Sequence, residues 1–192
     1  MARPRTFSTP AAVRAARDTF WRQGYEATTL TDLTDAMRIS RPSLYNAFGD
    51  KEKLFLTVLD EYVSEYAPAL EAMAGEPDGR VAVETFLVDA ARGLARGPGC
   101  LRVGHTAMAG SHSPVIADAL VRRHREFEGA FESRLVRAQR DRQLDAGEDP
   151  AALATFFAGI VSAMAVQSRV GADEDELVGM ARRAMRAWKQ LG

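Results

Sequence analysis

Few residues in this 192-residue chain carry reactive side chains. Three histidines, His105, His112 and His124, and a single cysteine, Cys100, make up its imidazoles and thiols. His105 and His112 are seven positions apart, which on a helix separates them by about 10 Å along the axis. That is too far to share one metal ion, and Gly110 interrupts the alignment. Glu128 follows His124 by four residues, a pair that on a helix more often forms one hydrogen bond. There is no His-Glu-x-x-His, no Gly-x-Ser-x-Gly, no glycine-rich phosphate loop and no Cys-x-x-Cys. The pattern points away from catalysis, and neither a metal nor a cofactor is implied. Cys100 follows Gly97-Pro98-Gly99 and precedes Leu101-Arg102, at an expected helix start where Arg102 could lower the thiol pKa and allow redox sensing. With no second cysteine to resolve an oxidised sulfur, a buried inert thiol is the simpler expectation.

A different chemistry is written in DAMRISRPSLYNAF, residues 35–48. Arg41 opens an expected helix, where the macrodipole opposes a cation by about 0.3–1 kcal/mol. Lys51 repeats the arrangement one helix later, just after Asp50. A phosphate beside both would reverse the sign, because helix N-termini and cations attract the same anion. DNA supplies phosphates in a row, and its major groove admits one helix. With Leu44 and Phe48 turned inward, the third helix turns Arg41, Pro42, Ser43, Tyr45 and Asn46 outward. The plainer alternative is two solvated cations, with Pro42 starting a helix.

The elements that position these residues read as helical throughout. Ile116, Leu120, Phe127, Phe131 and Leu135 form one apolar stripe with His124 on the same face. Glycine and proline punctuation gives about nine helices, near 10–23, 30–37, 41–48, 51–73, 79–95, 101–110, 114–143, 149–169 and 174–190. Pro68 should kink or end the fourth. The fold class is all-α. Thr29 can cap the second helix in a capping box with Asp32, and Ser40 and Asp50 can cap the next two. Two short helices joined by about three residues form a helix-turn-helix.

Composition sets the outer limits. The chain is 46% hydrophobic and 27% charged, which suits a globular protein. No apolar run was expected to reach the ~18–20 residues that span a bilayer. The basic N-terminus lacks a secretory core, so a cytoplasmic protein without a membrane partner is expected. Residues 1–53 hold nine basic and six acidic side chains; the rest hold 16 and 20. A slightly positive head on an acidic body is compatible with DNA binding.

From about Phe7 to Leu59 the chain resembles the DNA-binding domain of TetR family transcriptional regulators. The segments DTFWRQGYEATTLTDLTDAM and ISRPSLYNAFGDKEKLF carry the resemblance. It implies an N-terminal helix-turn-helix domain over 6–66, including the start of the fourth helix, and a helical ligand-binding and dimerisation domain over 67–192. It further implies a repressor that binds an inverted-repeat operator in double-stranded DNA as a homodimer and is released by a small molecule of unknown identity. An architectural DNA-binding protein without an effector, or a regulator sensing redox state at Cys100, are the alternatives. By this resemblance Tyr45 and Lys51 meet the DNA backbone. Ser40, Arg41, Pro42, Ser43 and Asn46 face the groove, and Thr29 faces phosphate. Arg38 stands where such turns usually carry glycine. It either avoids the left-handed region or offsets the strain through another phosphate contact. Pro42 replaces a commonly small residue.

In the body, Phe86, Met108, His124, Phe127, Phe131 and Met164 are candidates to line an apolar cavity. Phe156, Gly159, Ile160 and Ala163 form one apolar face, and Leu177, Met180, Ala184 and Trp188 form another. Both are candidates for pairing with a second subunit, with ordinary core as the alternative.

Overall fold

Side-chain caps set most of the helix starts. Thr29, Ser40, Asp50, Asp78, Ser113, Asp149 and Asp173 each accept a hydrogen bond from a backbone N–H of the following first turn. The computed structural model describes residues 9–97, 99–106 and 113–189. Among them it contains α1 (Thr9–Gln23), α2 (Leu30–Met37), α3 (Arg41–Phe48), α4 (Lys51–Gly75), α5 (Gly79–Ala95), α6 (Leu101–Thr106), α7 (Pro114–Arg140), α8 (Pro150–Arg169) and α9 (Glu174–Ala184), with no strand.

Two expectations about the helices need correction. α4 runs through Pro68 to Gly75, so of the two expected effects of that proline, ending the helix does not occur. α7 stops at Arg140 instead of 143, because Arg142 takes a left-handed conformation with φ 60°. α9 stops at Ala184 and gives way to a short 3-10 turn over Met185–Ala187. Trp188 then turns inward, donating from Nε1 to the Gln143 carbonyl at 3.0 Å.

Two apolar cores organise the packing. The first joins α1, α2, α3 and the start of α4, with Phe20, Leu33, Leu44, Phe55 and Leu59 at its centre. Leu101 of α6 and Ile116, Ala119 and Leu120 of α7 complete it. The second joins the rest of the bundle around Leu87, Phe131, Leu135, Phe157 and Leu177. α6 is shared between them. Leu101 enters the first core and Cys100, just before it, enters the second, while His105 stacks edge-on against Phe55 at 4.8 Å.

α8 departs from the expectation that no segment is long and apolar enough for a membrane. Pro150–Arg169 meets that test by length and composition. One face, with Leu153, Phe157, Val161 and Met164, is buried in the second core. The opposite face leaves Phe156 41%, Val166 52% and Val170 74% exposed, the last being the residue that caps the helix.

Candidate functional site

The turn between α2 and α3 is built from local hydrogen bonds. Thr29 and Asp32 form the reciprocal capping box, with Asp32 Oδ2 2.8 Å from the Thr29 N–H and 2.7 Å from its hydroxyl. Those two hydrogen bonds hold the Asp32 carboxyl below its ordinary pKa. Arg38 does take the left-handed conformation, at φ 53° and ψ 46°. Its N–H and that of Ile39 return to carbonyls near the end of α2, so the strain closes the helix and frees the chain to reverse. The Arg38 side chain is exposed.

Ser40 caps α3 through the Ser43 N–H, and the two hydroxyls lie 2.9 Å apart. Leu44 is fully buried beneath the helix. Arg41, Pro42, Tyr45 and Asn46 stand on the exposed side, with Ser43 half-buried. Arg41 does not hang free: its Nη2 donates to the Thr31 hydroxyl on α2 at 2.8 Å. Tyr45 is 50% exposed. Lys51 opens α4 with its Nζ 4.3 Å from the centre of the Tyr25 ring. Partial burial lowers its pKa against the opposing pull of Glu26. Thr29, Arg38, Ser40, Arg41, Tyr45, Asn46 and Lys51 thus flank or belong to one protruding helix. Thr31 and Tyr25, which steady two of its cations, had no signal in the linear spacing.

The second site lies inside the body. A cavity of about 350 Å³ opens among α4, α5 and α6. Of the expected lining residues, Phe86 and Phe127 line it. Phe131 and Met164 are fully buried in the second core and belong to the packing behind it, a correction to their expected place. His124 is not in the lining either. Its Nδ1 accepts from Arg102 Nη1 at 2.8 Å and its Nε2 lies 3.4 Å from Glu128. Met108 and His112 fall outside the described residues.

Residues that the stripe pattern missed do much of the lining. Tyr62 and Tyr66, one helical turn apart on α4, face the cavity with Trp21, Arg102 and Cys100. Burial pushes the Tyr66 hydroxyl up in pKa against the pull of Arg102. Burial, reinforced by Cys100, pushes Tyr62 up further. Tyr62 donates to the Cys100 sulfur at 3.2 Å, and that sulfur is buried from bulk water. Gly99 holds the preceding loop close to α8. Its φ is 89°, and a Cβ there would lie 2.7 Å from Arg169 Cγ and 2.9 Å from the Ala165 carbonyl.

The two apolar faces proposed for pairing separate in the structure. Phe156, Gly159 and Ala163 are exposed along α8, with Ile160 half-buried. Leu177, Ala184 and Trp188 are buried in the chain's own core, and Met180 is half-buried. An apolar stripe cannot reveal which neighbour it meets, and for these three the neighbour is α5 and the body.

A family model described as bacterial regulatory proteins of the tetR family matches residues 12–58, and one described as a tetracyclin repressor-like C-terminal domain matches residues 80–188. The chain belongs to the tetR family. The HTH-type transcriptional repressor ComR of Escherichia coli (strain K12) is 32% identical, covering 98% of this chain and 92% of the relative. The repressor BdcR of the same strain is 31% identical over 98% and 93%. Among solved structures, a cysteine-substituted variant of the TetR family regulator CifR in complex with 26-bp double-strand operator DNA superposes with a TM-score of 0.89. It is 34% identical over 98% of this chain and 100% of that one. In this tetR-family chain the protruding α3 is the second helix of the helix-turn-helix, and the cavity is walled by α4, α5, α6 and α7 with Trp21 of α1 at its side.

Proposed function

We propose that this chain is a sequence-specific transcriptional repressor that binds an inverted-repeat operator as a homodimer and leaves it when a small molecule enters the cavity. One observation carries the reading: a capped, exposed α3 presents Arg41, Tyr45 and Asn46 while α4 starts with Lys51 beside it. Tyr45, Lys51 and Thr29 would meet phosphates; Ser40, Arg41, Pro42, Ser43 and Asn46 would face the groove, and Arg38 would reach a further phosphate. Residues 6–66 would hold the DNA and residues 67–192 the ligand and the second subunit. Relatives named as repressors match nearly the whole chain, which favours repression.

Pairing is supported by the exposed apolar stripe of α8, where Phe156, Gly159, Ala163 and Val166 recur at helical spacing. Two such faces bury each other with little to lose, because small residues let the helices approach. Release is supported by α6. Cys100, just before it, and Arg102 in its first turn border the cavity, while Leu101 and His105 reach the head's core. A molecule that shifts α6 shifts what α4 rests on. A cavity of this size also favours a ligand-gated regulator over an architectural protein.

The test is selection of bound fragments from the source genome with the full chain. An enriched inverted repeat, protected by two subunits in sedimentation, is the expected result. No enriched sequence would overturn the reading.

A further inference from the structure

We infer that the cavity takes a small aromatic carboxylate, anchored by the Arg102 guanidinium; this rests on the reading of the cavity as the effector site. Arg102 is 1% exposed and is the cation in the lining. A buried guanidinium is normally paired with an anion. Here Nη1 donates to His124 Nδ1 at 2.8 Å, and the group sits 4.5 Å from the centre of the Phe127 ring. Arginine only donates, so His124 Nδ1 accepts and its ring proton lies on Nε2, towards Glu128. Arg102 Nε has no hydrogen-bond partner, and neither has the buried indole Nε1 of Trp21, another residue of the lining.

The lining does hold carboxylates, but they are taken. Glu65 pairs with Arg17 at 2.5 Å, and Asp89 with Arg92 at 3.3 Å, both on the exposed side of the cavity. Two orphaned donors, one of them charged, call for an acceptor-rich and negative ligand group. A carboxylate offers two oxygens in the plane of the guanidinium fork. A cation would be repelled. A dianion would bring more charge than the one guanidinium of the lining neutralises.

The rest of the ligand is set by the walls. Phe86 and Phe127 meet at 5.9 Å, and Tyr66 stands edge-on to Phe127 at 5.8 Å. Such faces and edges suit a flat ring. A volume of about 350 Å³ lies at the small end of ligand pockets, so one or two fused rings fit and a long acyl chain does not.

The test is calorimetric titration of the full chain with 2-naphthoate, its neutral amide 2-naphthamide, and the cation of 2-naphthylmethylamine. Anisotropy of a labelled operator fragment is followed in parallel. The acid should bind about tenfold or more tighter than the amide, the amine should be the weakest, and the acid should release the operator. Arg102→Gln should bring the acid down to the level of the amide. Circular dichroism checks that this variant folds, and the three-ligand series on the unmodified chain decides the matter even if it does not. Amide or amine binding as tightly as the acid, or no binding of the acid at millimolar concentration, would overturn the inference. Operator binding that persists in that case leaves the repressor reading standing; an unmodified chain that binds no operator sinks that reading instead.

Discussion

Arg41 in the head and Arg102 in the body are both arginines without a carboxylate partner among the described residues, yet the chain treats them in opposite ways. Arg41 stays in water and is steered by one hydroxyl, that of Thr31. Its charge keeps its hydration, so the fold carries almost no cost while no anion is present. Arg102 is stripped of water and is held by the Phe127 ring, the His124 imidazole and the Tyr66 hydroxyl, so fold and ligand share the same atoms. From this it follows that head-surface substitutions should separate DNA affinity from stability, whereas body substitutions should not.

The largest expected effect tests whether the head's display depends on its buried side. Leu44→Ala empties a fully buried site under α3 and should cost about 2–5 kcal/mol in urea unfolding, with operator binding lost as well. Next comes the body's tightest approach. Gly99→Ala places a Cβ against α8 at a positive φ and should cost about 1–3 kcal/mol, read as a lowered melting temperature that the ligand no longer raises fully. On the head's surface, Tyr45→Ala and Lys51→Ala should weaken binding to all DNA sequences. Lys51→Ala should also lower the salt slope by about one unit per subunit, at a stability cost near 0.5–1 kcal/mol from the lost Tyr25 contact. An unchanged slope would break the comparison at its head end.

Similar in stability to the Lys51 change is the capping pair. Thr29→Ala should cost about 1 kcal/mol, measured by thermal unfolding. Asp32 is depressed in the folded state by its bonds to Thr29, so it stabilises above the unfolded carboxylate range, near pH 4, and loses that as pH falls through its folded value. Asp32→Asn should therefore lower stability most near neutral pH and least in acid, which flattens the acid limb of stability against pH. An acid limb as steep as in the unmodified chain would show that the capping box titrates without consequence.

What could be read from the sequence follows the same division. α2, α3 and α5 were bounded correctly because caps and glycine stops lie within a few residues of the helices they govern. The exposed residues of α3 were legible for the same reason, since Leu44 and Phe48 fix which side faces out. The ends of α7 and α9 were overrun, because Arg142 adopts a conformation its type does not announce and Trp188 answers to a carbonyl 45 residues away. Arg102 was seen only as a neighbour of Cys100. Its role depends on His124 and Phe127, one of them 22 positions distant, and no spacing rule joins them.

The shared core has a consequence for how such a protein can be recombined. Phe55 of α4 rests on His105 of α6, and Leu101, Ile116 and Leu120 complete the packing under the helix-turn-helix. A graft that took residues 9–66 alone would carry an open underside and leave those partners behind on the donor. The head is therefore not a portable cassette. Working chimeras would have to bring α6 and the first turns of α7 with it.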